Sequence, residues 1–262
     1  KRDTGIKHFQ AWNTEDLYSS LNAIDLLVIS GMWNNDIIAK APQLRFIQSI
    51  GAGYDQFPIE ELKNRGIRLA NASGVNKNAV SEHTFALILA ISRHLKSGAI
   101  NQSNHTWRGM ISEIPKREDE LAGKTLGIIG MGAIGSRVST IAKAFDMRVI
   151  ATKRDPSTAQ GNADVVVTPD KTSDVLKESD FVALTCSLND ATRGLINVET
   201  LSQMKPTACL INMARGGCVD EQALITALRD GVIAGAGLDV VSEEPLPTES
   251  PLWNMENVVL TP

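Results

Sequence analysis

The sequence has 262 residues, 43% hydrophobic and 21% charged, which suits one large or two medium globular domains. Its 26 basic and 30 acidic side chains leave a formal charge of −4, so the charge balance calls for neither nucleic acid nor an acidic membrane as partner. Three cysteines with no CxxC spacing and no histidine cluster argue against a disulfide framework or a metal site. The apolar runs are too short to span a bilayer, and the charged opening Lys1-Arg2-Asp3 has no apolar signal-peptide stretch behind it. These features imply a reduced, cytoplasmic setting.

In chain order, β-like runs fall at residues 26–29, 46–50, 126–129, 148–151, 165–168, 181–185, 208–212 and 235–240, and a last short one at 258–260. Several are apolar without alternation, as in strands covered on both faces of a parallel sheet. Helical stretches separate them. Pro58 and Gly66 bracket one as start and stop, and Asp220 can cap another that runs to Gly231. Residues 78–102 read as one long helix, too apolar for a narrow stripe and therefore well buried. A polar, charged stretch follows at 101–121. The repeated strand-helix-strand order predicts an α/β doubly wound fold. The division expected is a first lobe over residues 1–77 and a second over 78–262, opening with the long helix.

Gly130-Met131-Gly132-Ala133-Ile134-Gly135 is a GxGxxG motif between a strand and an amphipathic helix, the context of a dinucleotide fingerprint. Gly130 permits the tight turn, Gly132 the approach of a pyrophosphate, and Gly135 close packing of helix on strand. Free N–H groups at the helix start would meet the phosphates. About twenty residues on, where an acid usually accepts from the ribose, stands Lys153. Lys153 and Arg154 suit a 2′-phosphate, which favours NADP(H) over NAD(H). The competing reading is a solvated basic pair with Asp155 reaching the ribose.

Two later segments end strands in polar residues. Arg215, followed by Gly216 and Gly217, suits a planar, bidentate grip on a carboxylate. Asp239 lies in an apolar strand and must be hydrogen-bonded or stand at the mouth of the sheet. Glu244, before Pro245, could orient a histidine and favour its charged form.

Taken together, Gly51-Ala52-Gly53-Tyr54-Asp55, Ser81-Glu82-His83, the Gly130–Gly135 loop, the segments 212–220 and 238–247, and the ending 257–262 resemble the D-isomer-specific 2-hydroxyacid dehydrogenases. The resemblance covers nearly the whole chain. It implies two Rossmann-like doubly wound parallel-sheet lobes with a cleft between them, and hydride transfer between NAD(P)H and a 2-keto acid. It implies that Arg215 and Glu244 are catalytic, and that Ala52, Gly53 and Arg215 bind the substrate carboxylate. Gly130, Gly132, Ala133, Ile134, Gly135, Lys153, Arg154, Cys186, Met213, Ala214 and Asp239 would contact the cofactor, Asp239 through the nicotinamide carboxamide. His83 is read as structural. Ala133 departs from the arginine many members carry, which leaves the pyrophosphate to backbone N–H groups. The family's acid/base histidine directly follows the Thr-Pro pair, so the 262 residues read as a protein shortened at both ends. A homodimer through the long-helix lobe is implied. The rival readings are a corepressor-like dinucleotide-binding protein and a formate- or phosphite-type dehydrogenase.

Overall fold

A computed structural model of the chain describes residues 5–114 and 117–261. The charged opening, Lys116 of the charged stretch, and Pro262 of the Thr-Pro pair lie outside the described residues. The chain forms two compact units that divide between Val75 and Asn76.

The first unit is a three-stranded parallel sheet, β1 (Leu26–Ile29), β2 (Phe46–Ser49) and β3 (Arg68–Ala70), in that order. β1 alternates exposed and buried residues, so Leu27 and Ile29 enter the core while Leu26 and Val28 face outward. Three helices accompany the sheet: α1 (Thr14–Ser20), α2 (Asp36–Lys40) and α3 (Ile59–Asn64). α3 begins after Pro58 and ends before Gly66, whose φ of +68° closes the turn. The β3 strand was not anticipated. Three residues with only partial burial at a sheet edge carry too little apolar signal.

The second unit begins with α4 (Lys77–Ser92) and α5 (Leu95–Ser103). The single helix expected over 78–102 is therefore two. α4 closes at Arg93, and His94 takes a left-handed conformation, φ 53°, that ends the α-helical hydrogen-bond run. The burial expectation divides with it. α4 buries Phe85, Leu87 and Ile88, whereas α5 buries no residue.

Seven parallel strands follow: β4 (Thr125–Ile129), β5 (Arg148–Thr152), β6 (Val165–Val167), β7 (Phe181–Leu184), β8 (Cys209–Asn212), β9 (Gly235–Leu238) and β10 (Val258–Leu260). Their spatial order is β10-β9-β8-β7-β4-β5-β6. The chain moves outward from β4 in one direction through β5 and β6, then returns to β7 and continues the other way. β4 and β7 thus flank the topological switch point, where an open α/β sheet binds ligands at its carboxyl edge. β4, β7, β8 and β9 are buried at every position, as their unalternating sequences require. The intervening helices α6 (Ala133–Ala144), α7 (Thr172–Glu178), α8 (Val198–Leu201) and α9 (Glu221–Arg229) complete the unit. Asp220 caps α9 by accepting from the Ala223 N–H at 3.1 Å.

Candidate active site

The GxGxxG motif is the turn from β4 into α6. Gly130 has φ +105°, and a β-carbon there would lie 2.7 Å from the backbone of Cys186. The position thus requires glycine for both its conformation and the close approach of the β7 end. A β-carbon at Gly135 would lie 2.5 Å from the Gly130 carbonyl oxygen, so the helix start sits directly on the turn. Gly132 faces open space and caps α6 without a side-chain acceptor. The first-turn N–H groups of α6 are thereby available to an anion, at the positive end of the helix dipole. This arrangement fits a dinucleotide pyrophosphate.

Two threonines that the sequence reading passed over fix this turn. Thr152, at the end of β5, accepts from Gly130 N through Oγ1 at 3.2 Å and from Met131 N through its carbonyl at 2.8 Å. Thr185, just past β7, donates its hydroxyl to the Gly130 carbonyl at 2.8 Å. Their signal was a polar residue closing an apolar run at the carboxyl edge of the sheet. Lys153 follows Thr152 and folds its ammonium onto the Met131 carbonyl at 2.9 Å. Arg154 is exposed. Asp155 is engaged locally, its Oδ1 accepting from Ser157 N at 3.1 Å and from Ser157 Oγ at 2.6 Å.

Cys186 is half-buried beside Gly130. Its hydrogen bond to the Cys218 thiol, reinforced by burial, holds its own thiol well above the usual range. It is accordingly a poor nucleophile. Met213 and Ala214 are buried, and Met213 N donates to the Leu184 carbonyl at 3.2 Å.

Arg215 occupies the loop between β8 and α9 and is half-buried. Buried Asn212 shapes that loop, accepting from Ala214 N at 3.1 Å and donating to the Arg215 carbonyl at 3.1 Å. The next residue, Gly216, meets the main chain at Val241. Val241 N in turn donates to Glu244 Oε1 at 3.2 Å. The arginine loop and the glutamate loop, distinct in sequence, are therefore one packed assembly at the carboxyl edge.

Asp239 stands just beyond β9, not inside it as the expected strand end at 240 would have it. The ladder stops at Leu238, where Asp239 N donates to the Asn212 carbonyl at 3.1 Å. Its side chain is a third exposed and meets His83 and Thr261. Ala52 and Gly53 belong to the first unit, after β2. Asn71 donates to the Ala52 carbonyl at 2.6 Å and Ala72 N to the Gly51 carbonyl at 3.0 Å, fixing that loop. No group of His, Cys, Asp and Glu suited to a metal ion occurs among the described residues.

The sequence profile of the D-isomer specific 2-hydroxyacid dehydrogenase, NAD binding domain, matches residues 85–262. The chain belongs to the D-isomer-specific 2-hydroxyacid dehydrogenases. A glyoxylate reductase of Pyrococcus furiosus is 42% identical over 253 residues, spanning 95% of this chain and 75% of the relative. Among solved structures, an acyclic imino acid reductase in complex with NADPH and D-Arg superposes with a TM-score of 0.82 at 33% identity, covering 95% of this chain and 78% of that one. The NADPH-dependent glyoxylate/hydroxypyruvate reductase of Sinorhizobium meliloti, in complex with NADP and sulfate, does so with a TM-score of 0.76 at 28% identity, covering 92% and 75%. The dehydrogenase is an NAD(P)-dependent oxidoreductase that transfers a hydride between a nicotinamide dinucleotide and 2-keto or 2-hydroxy acids. No helix among its described residues is long and apolar enough to cross a membrane.

Proposed function

We propose that the dehydrogenase reduces a small 2-keto acid of glyoxylate type and prefers NADPH. The observation that carries the cofactor preference is the carboxyl end of β5. A ribose 2′-hydroxyl needs an acceptor there and a 2′-phosphate needs cations. Asp155 already holds Ser157, while Lys153 reaches the phosphate turn at the Met131 carbonyl and Arg154, next in the chain, is exposed. The NADPH complex of one structural relative and the NADP complex of another, NADPH-dependent one support the same reading, and the P. furiosus glyoxylate reductase supports the substrate class.

In this reading residues 78–262 hold the dinucleotide and residues 1–77 contribute to substrate binding. Backbone N–H groups of Ala133, Ile134 and Gly135 meet the pyrophosphate, which approaches over Gly130 and over Gly132, whose own N–H is held by the Gly130 carbonyl at 2.8 Å. Cys186, Met213 and Ala214 line the cofactor path, and Asp239 accepts from the carboxamide. The bound nicotinamide supplies the hydride. Arg215 grips the substrate carboxylate and polarises the keto group, and Ala52 and Gly53 keep the carboxylate-binding role that family resemblance gives them. Glu244 orients the proton-donating histidine of the family and stabilises its charged form.

The segment from α5 onward supports a homodimer. Leu95, Ile100, Trp107, Met110 and Ile114 are all exposed, Trp107 almost completely at 99%. An arm this apolar suits a second copy of the chain. Three free cysteines support a reducing, cytoplasmic setting.

The test is steady-state oxidation of NADPH and NADH with glyoxylate, hydroxypyruvate and larger 2-keto acids. A lower KM for NADPH and turnover of the two small acids are expected. A clear NADH preference overturns the cofactor reading, and turnover confined to large acids overturns the substrate reading.

A further inference from the structure

His83 lies on α4, and its Nε2 is 2.7 Å from Thr261 Oγ1 and 3.2 Å from Asp239 Oδ1. Thr261 Oγ1 is 3.3 Å from the same Oδ1. The three residues come from α4, the end of β9 and the end of β10. All three elements pack together within the second unit. Backbone bonds hold the other two in place: Asp239 N donates to Asn212 O at 3.1 Å, and Thr261 N to Leu238 O at 3.0 Å.

The donor chemistry of this triad is nearly forced. A carboxylate only accepts, so the hydrogen next to Asp239 belongs on His83 Nε2. That hydrogen is shared between Thr261 Oγ1 and Asp239 Oδ1, and the threonine hydroxyl is left to donate to Oδ1. Two donors from two elements thus converge on one carboxylate oxygen. Oδ2 accepts from no described residue, and the side chain is a third exposed at the carboxyl edge of the sheet. A carboxylate pinned through one oxygen presents the other in a fixed direction to an incoming N–H.

We infer that His83 is a positioning residue for cofactor recognition: with Thr261 it fixes Asp239 so that Oδ2 accepts the N–H of the nicotinamide carboxamide. This rests on the reading of Asp239 as the carboxamide acceptor. It assigns the histidine a role in ligand selectivity beyond holding the fold.

The experiment is dinucleotide binding, followed by nicotinamide fluorescence, with two probes. One is whichever of NADH and NADPH binds tighter. The other is its reduced 3-acetylpyridine analogue, in which a methyl replaces the carboxamide NH2. His83→Leu keeps the bulk and removes the donor. It should weaken the carboxamide dinucleotide about tenfold and the analogue less than about twofold, as expected for a lost hydrogen bond confined to the carboxamide. His83→Gln, which retains an N–H near the Nε2 position, should restore most of the difference. Equal weakening of both probes, or of neither, overturns the inference. Thr261→Val changes little volume and serves should His83→Leu fail to fold. A selective loss of about threefold supports the inference and no selective loss overturns it. Asp239→Leu, which removes the acceptor altogether, separates the role of the carboxylate from that of the histidine. Unchanged discrimination between the probes in that variant overturns the carboxamide reading itself, whereas lost discrimination there with none lost in the His83 variants overturns only the role of the histidine.

Discussion

A β-carbon placed on Gly216 would lie 1.9 Å from the carbonyl oxygen of Val241. The main chain after β9 therefore passes where any other residue would carry a side chain, directly beside Arg215. Gly216→Ala cannot be relieved by turning a flexible side chain, because the obstacle is backbone. It should cost about 3 kcal/mol or more and lower Tm by roughly 6–12 °C. A thermal melt of the variant checks this, and a Tm within about two degrees of wild type would show that the loops separate easily.

Arg215→Ala tests the grip on substrate. Loss of a charge-assisted, bidentate contact should reduce kcat/KM about a hundredfold to a thousandfold, equivalent to about 3–4 kcal/mol. The phosphate turn lies on other strands, so dinucleotide affinity should change less than about threefold. Near wild-type turnover would remove Arg215 from the site.

The basic pair after β5 sets the third expectation. Lys153→Ala combined with Arg154→Ala should reduce NADPH affinity about tenfold and leave NADH affinity almost unchanged, because only the 2′-phosphate calls on both cations. Titration of both dinucleotides decides it. Equal losses would mean that Lys153 acts through the Met131 carbonyl on the shape of the turn.

Asp164 gives a pH-dependent expectation. Its carboxylate accepts from Val149 N at 2.7 Å and from Lys143 at 2.9 Å, and these bonds hold its pKa below the ordinary value of 3.8. A lowered folded-state pKa contributes stability above the unfolded value, and that stability is lost as the pH falls through the folded value. Asp164→Asn should therefore melt below wild type at pH 7, and the gap should narrow towards pH 3. A gap independent of pH would assign the effect to geometry rather than charge.

The fold class was legible because the signals that set it are local. Apolar runs without alternation predicted strands buried on both faces, and β4, β7, β8 and β9 are such strands. The GxGxxG spacing placed the phosphate turn because glycine at Gly130 answers a steric demand of the immediate backbone. Asp220 could be read as a cap for the same reason. Less was visible where the local signal is weak. β3 is too short and too shallowly buried to show a pattern. The break between α4 and α5 turns on one left-handed histidine that carries no glycine signature.

The sequence alone determined the order of the longer, well-buried strands, the phosphate turn and the identity of the polar residues that follow them. Each of these depends on residues within a few positions of one another. Tertiary structure alone decided which of those polar residues meet. Gly216 reaches Val241 across two loops, and His83 reaches Thr261 across 178 positions. The return of the chain from β6 to β7 creates the edge on which they gather. Such pairings follow from how helices and strands pack, and the packing of a parallel sheet is set by contacts distant along the chain that no local pattern encodes.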